Sequence, residues 1–304
     1  MPQGNPAHPL HRPRRPHRHA PRAEAMVRPM NAALWRKAIR DAWLQWAASS
    51  VLLILFGWCF VWLMSLFRPG MIVAILDYLP SFVEPLVGVP LAKLATATGR
   101  ISVLYVHVVT LLVCLGWAIG RGSDVVSGEI SRGTMDLLAT LPVRRAWIVA
   151  TSAVVTAVGS LALAFSVWLG SLAGMATVSL PDAAGPRQFL PGVMNLFSMT
   201  FCLAGITALL SACDRSRWRT VLLAGGLFVV SSIVKLVARL WAPGFWLRYL
   251  SVLTPFEPQK LILLDPEVTR RMAWEYNAIL LTMGVGAYGM AAVVFSRRDV
   301  PTAY

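Results

Sequence analysis

Charged side chains are scarce in this 304-residue chain: 14% of it, against about a quarter in soluble domains. A surface that poor in charge excludes a soluble globular domain of this length and leaves a bilayer as the solvent. Acidic residues are scarcer still, 14 against 28 lysines and arginines, so paired carboxylates for acid–base chemistry have few places to sit. Cysteine is nearly missing. Cys59, Cys114, Cys202 and Cys213 lie in or beside apolar runs and form no CxxC or Cys/His grouping. They read as small hydrophobes, which excludes a disulfide framework and a cysteine metal centre. There is no GxxxxGK[ST] loop to cradle phosphates and no HExxH, so the chain carries no nucleotide or zinc site of those types.

What the chain does have is long apolar sequence. Six runs approach the ~20 residues that a bilayer-crossing helix needs: 44–66, 101–119, 147–177, 193–213, 220–240 and 277–295. The expected fold class is an all-α integral membrane protein with six transmembrane helices. The third run is longer than required, so a tilt, a bend near Gly159 or projecting ends are expected. Lysine and arginine set the orientation. The N-terminus, the 120–146 and 214–219 loops and the C-terminus hold 18 basic residues. The 67–100, 179–192 and 241–276 loops, with the end of the fifth run, hold ten. The first side is therefore the cytoplasmic one. The formal charge of +14 follows from the same bias, so membrane lipid is an expected partner and nucleic acid is not.

The regions flanking these runs divide in three. Residues 1–30 are rich in Pro, His and Arg and cannot bury a core, so a disordered tail is expected before a transmembrane domain at 31–304. His8, His11, His17 and His19 there are read as tail residues rather than metal ligands. From 31–43 into the first span, Trp35, Ile39, Trp43 and Trp46 recur at three- and four-residue steps, with Arg36, Lys37, Arg40 and Asp41 between them. That spacing describes either an amphipathic interfacial helix, with Asn31 as N-cap, or an extension of the first span. The 241–276 segment carries aromatic residues and Pro255 and Pro258. Short outer interfacial or re-entrant helices before span six are expected, with the aromatics as an interface belt. Inside the spans titratable groups are few and no buried ion pair is expected. Lys235 and Arg239 are expected to snorkel outward. His107, about one turn inside span two, is either a packing residue or a functional one.

The most informative loop joins spans two and three and reads SGEISRGTMDLLATLPVRR over 127–145. Gly133 interrupts the helix that follows span two. Thr134 is placed to cap a new helix, and Asp136 suits the positive end of its dipole. Leu137, Leu138 and Leu141 form one apolar stripe. Pro142 ends the element, and Arg144 and Arg145 mark the next membrane entrance. The result is a short amphipathic helix between spans that packs either on its own membrane core or on a partner.

Glu129, Arg132, Gly133-Thr134, the leucines, Pro142-Val143 and Arg144 resemble the signature of permease subunits of the ABC-2 type transporters. Three weaker elements agree: LWRKAIR at 34–40 resembles the family's elbow helix, Thr254-Pro255-Phe256 its element before the last span, and FSRRD at 295–299 its cytoplasmic exit. The resemblance implies a cytoplasmic coupling helix over 134–141, with Glu129 and Arg132 at the base of span two. That helix would fit a groove of a separate ABC ATP-binding subunit. It also implies a homodimer or heterodimer of permeases in a bacterial-type inner membrane, and no cofactor on this chain, ATP and Mg being held by the partner subunit. Members resembling this one serve export, including ion export and copper-site maturation, so the cargo stays open. Two other readings stand beside it. A membrane scaffold or assembly protein needs no ATPase. An intramembrane enzyme needs a nucleophile–base pair, for which Ser160, Ser166, Ser171 and His107 are the candidates.

Overall fold

In hydrocarbon, backbone N–H and C=O groups must bond within their own segment, so long apolar runs become helices. The structure is a computed structural model describing residues 32–67, 78–80, 82–135, 144–178 and 185–298. Six helical segments are long and apolar enough to cross a membrane, and no strand occurs among the described residues. Helix α1, Ala32–Ser65, takes in both the amphipathic stretch and the first span. Its 34 residues reach ~51 Å at 1.5 Å per residue, well beyond a hydrocarbon core of ~30 Å. Of the two readings of 31–43, continuous extension of the span is the one observed. Asn31, its expected cap, lies outside the described residues.

Three short helices follow: α2 (Val83–Val87), α3 (Leu91–Ala95) and α4 (Ala97–Ser102). A 3₁₀ turn at Val103–Val106 leads to α5, Val108–Ser123. The second span is thus broken at His107, whose ψ of 142° is extended. A π turn, Asp124–Gly128, and a last turn, Glu129–Ser131, complete it. Helix α6, Arg145–Thr177, is the third span. It runs unbroken through Gly159, where the missing side chain seats the Trp117 ring: a Cβ there would stand 2.0 Å from a ring carbon. After a 3₁₀ turn at Pro186–Phe189 come α7, Leu190–Cys213, and α8, Arg217–Leu240. The outer segment is a 3₁₀ helix, Ala242–Tyr249, then α9, Pro258–Leu263. Helix α10, Pro266–Arg297, is the sixth span.

Helix α7 is the axis. It is 72% buried over its span, against 11% for α8, and it packs against α5, α6, α8, α9 and α10. Lipid tails are as apolar as leucine, so packing inside a bilayer relies on close backbone approach. Two crossings show it. Where α1 meets α6, Gly57 faces Gly170. Where α7 meets α10, a Cβ on Gly205 would stand 2.5 Å from the Gly284 carbonyl oxygen. Phe201 stacks on Tyr288 at 5.4 Å, tying α7 to α10 by aromatic contact, and Tyr105 stacks on Phe189 at 6.2 Å, joining the two 3₁₀ turns that precede α5 and α7. The aromatics of the outer segment (Trp241, Phe245, Trp246 and Tyr249) are exposed, as a belt at headgroup level requires.

Gly205→Val is expected to destabilise the protein by about 1–3 kcal/mol, because backbone on both sides cannot retreat. Gly286→Ala, with nothing within 4 Å of its new Cβ, is the control. Thermal unfolding in detergent compares the two, and equal shifts would refute the close-packed crossing.

Candidate functional site

The end of the second span is built around one carboxylate. The π turn at Asp124–Gly128 displaces backbone N–H groups from their usual partners. The Ser211 hydroxyl of α7 accepts two of them, Val126 N at 3.2 Å and Ser127 N at 2.8 Å, and donates to the Ser123 carbonyl at 3.0 Å. Thr220 at the start of α8 donates to the Ser127 hydroxyl. The turn is thereby stitched to α7 and α8 by groups that are themselves buried. It leaves Glu129 facing α1.

Glu129 is only 7% exposed at its side chain. Its Oε1 accepts from Lys37 Nζ of α1 at 2.7 Å and from an Arg132 guanidinium nitrogen at 2.8 Å, and its Oε2 accepts from the Thr134 hydroxyl at 2.6 Å. Arg132 also reaches Asp124 at 2.8 Å, and Asp124 pairs with Arg217 of α8 at 3.2 Å. Partial burial disfavours the Arg132 charge, but the Asp124 and Glu129 carboxylates outweigh it and hold its pKa above the ordinary value. Gly133 stops the helix with φ of +71°, a left-handed conformation that glycine adopts without strain. Its N–H bonds the Ile130 carbonyl at 3.0 Å, and Thr134 N–H bonds the Glu129 carbonyl at 3.0 Å. That pair of bonds is the Schellman stop. The Thr134 hydroxyl thus donates to Glu129. Asp136, Leu137, Leu138, Leu141 and Pro142 lie outside the described residues, and with them the helix expected over 134–141. Arg144 is exposed at the N-cap of α6.

The neighbouring chain ends are tied to the same face. Arg298 donates to the carbonyls of Ala212 and Asp214 at 2.8 and 2.9 Å. Slight burial would raise the pKa of Asp214, but backbone N–H bonds from Ser216 and Arg215, with Arg219 and Arg298 nearby, hold it below the usual carboxylate range.

At the opposite end of α7 a second carboxylate is shared. Glu257 pairs with both Lys235, at 3.1 Å, and Arg239 of α8. Asn195 of α7 accepts from Glu257 N–H at 2.8 Å and donates to the Pro255 carbonyl and to Asn277 of α10, each at 3.0 Å. Lys235 also donates to the Phe256 carbonyl. This corrects the expectation that Lys235 and Arg239 snorkel outward; their ion pairs are partly buried and reach a carboxylate outside the spans. Both turn inward toward Glu257 and nearby backbone carbonyls, including Leu86 O.

The remaining candidates have structural roles. His107 Nδ1 caps α5 by accepting from Val109 N–H at 3.2 Å, and its ring packs 5.0 Å from Phe56. Ser160 accepts from Trp117 at 3.1 Å. Ser166 and Ser171 donate to carbonyls of the preceding turn, the usual habit of serine in a span. None of these serines pairs with a base among the described residues.

A family model described as ABC-2 family transporter protein matches residues 35–300, nearly the whole of this bundle. The chain belongs to the ABC-2 family of transporter proteins. No curated protein and no solved structure matches it. As an ABC-2 permease it is the membrane component of an ABC transporter and not itself an enzyme. Spacing along the loop does not show Lys37 of this permease as a partner of Glu129, nor Arg217 and Ser211 as anchors of the surrounding network, because these residues lie on other helices. The signal available was scarcity: an acid in an acid-poor chain must serve more than one cation.

Removing the Glu129 charge leaves Lys37 and Arg132 without their shared partner. Glu129→Gln is expected to lower thermal stability in detergent. Its effect should be non-additive with Lys37→Met by about 0.5–3 kcal/mol, the range for residues in direct contact. Strictly additive single and double variants would show that the pair does not couple.

Proposed function

We propose that this permease is the transmembrane half of an ATP-driven exporter, energised by a separate ABC ATP-binding subunit. ATP and Mg are held by that subunit and not by this chain. The face carrying Glu129 is cytoplasmic, both termini lie on that side, and the membrane is of bacterial inner-membrane type. Two permeases, identical or related, assemble over two ATPases. The coupling helix spans 134–141, with Leu137, Leu138 and Leu141 as its groove-facing stripe, Asp136 in its first turn and Pro142 as its stop.

The observation that carries this reading is the Glu129 hub. A push on the segment after Gly133 meets Thr134, which bonds Glu129, which bonds Lys37 of α1. Through Arg132, Asp124 and Arg217 it reaches α8, and through Ser211 it reaches α7. A lever so anchored moves whole helices rather than a loop. It suits rigid-body switching between inward- and outward-open states, biased by ATP in the partner. The base-rich count on this face supports the orientation.

Leu138→Asp places a charge on the leucine stripe and is expected to abolish co-purification with the ATP-binding subunit while the permease keeps its helical circular dichroism. Undiminished co-purification would sink the coupling-helix assignment. The permease purified alone is expected to show no ATP hydrolysis, with activity appearing when the subunit is added. Turnover by the chain alone, unchanged by the subunit, would overturn the division of labour.

A further inference from the structure

A large cavity sits far from the Glu129 hub, between the start of α7, α9 and the first half of α10, with a volume of about 1050 Å³. That is about the upper end of the range for small-molecule sites. Its wall is fixed. Gln188 donates to the Ile262 carbonyl at 3.0 Å, Lys93 donates to the Leu263 carbonyl at 2.9 Å, and Ile262 packs against Gly192. Both α9 carbonyls are thus held from neighbouring elements, and the cavity is preformed.

Its lining is polar at one end and apolar at the other. Arg187 and Arg270 stand at the rim, both exposed, with no ion pair to either among the described residues. No acidic residue is among those lining the cavity. Deeper in, the walls are Leu190, Met194, Ile262 and Leu281. Along α10 the rim at Arg270 and the floor at Leu281 are eleven residues apart, ~16 Å of helix. Trp274 lies between them, 78% exposed, a residue type enriched at membrane–water interfaces. Two cations above the interface and an apolar cleft below it match one chemistry: an anionic headgroup carrying hydrocarbon chains.

We propose that this cavity is a binding site for an anionic phospholipid of the leaflet opposite the Glu129 face. Its phosphate lies between Arg187 and Arg270 and an acyl chain enters between α7 and α10. The site rests on the two arginines and the cleft, and stands apart from the coupling-helix assignment.

The test uses the full chain in phosphatidylcholine vesicles containing a minority of phosphatidylglycerol. Bromine, a tryptophan quencher, is placed on the phosphatidylglycerol chains in one sample and on an equal amount of phosphatidylcholine in the other. The Trp274 signal is the difference between the wild type and Trp274→Phe. It is expected to be quenched more by brominated phosphatidylglycerol. Arg187→Gln and Arg270→Gln should each weaken that preference about fivefold, the worth of one basic residue at an anionic surface. Both arginines are exposed, so neither substitution threatens the bundle. Ala278→Phe, filling the cleft, should remove phosphatidylglycerol retained through purification and seen by native mass spectrometry. Equal quenching by the two brominated lipids, or a preference that survives loss of both arginines, would overturn the proposal. Absence of any Trp274 quenching would show the cleft covered by protein, and would overturn it too.

Discussion

Each of three carboxylates in this permease is shared between two cations, and both faces of the bundle are assembled on that sharing. Glu129 holds Lys37 and Arg132; Asp124 holds Arg132 and Arg217; Glu257 holds Lys235 and Arg239. An ion taken out of water costs several kcal/mol unless partnered. In a chain with twice as many basic as acidic residues, an acid that is buried becomes a junction. The Glu129 and Asp124 junctions join helices distant in sequence and the Glu257 junction ties α8 to the start of α9, so the charges that most resist burial are the ones that set how the helix ends meet.

Between the two faces the bundle is held by other means. Helix α7 runs through the centre with small and hydroxyl-bearing residues along its length, among them Gly205, Thr207 and Ser211. Thr207 donates to its own preceding turn and leaves its body for packing. Ser211 instead repairs the π turn of the second span. Both habits obey one rule: a polar group at depth is satisfied locally or satisfies a neighbour. The π turn also turns Glu129 toward α1, so a local irregularity in helix winding places the hub.

The spans were legible because hydrocarbon demands length and apolarity, which are local properties. Gly133 was legible as a helix stop, since glycine just past a helix end is the residue that takes a left-handed conformation without strain. The break at His107 was not. Nothing about its neighbours requires an extended ψ there, and the cap it supplies to Val109 is a consequence of the break. Lys235 and Arg239 misled for a related reason. Spacing put them one turn apart near a helix end, where snorkelling is the default, but their partner Glu257 lies beyond an intervening 3₁₀ helix.

The sequence by itself determined the solvent, the number of spans, the charge bias between faces and the motif that links this chain to its family, since composition and short-range order decide those. Only the tertiary structure decided which cations each carboxylate serves, that α7 is the axis, that α1 is one continuous helix, and that a cleft rimmed by arginines opens between α7 and α10. These depend on contacts between residues far apart in the chain. Such contacts arise from the approach of helix backbones at sites such as Gly57 and Gly205, and helical periodicity is silent on which helices will meet there.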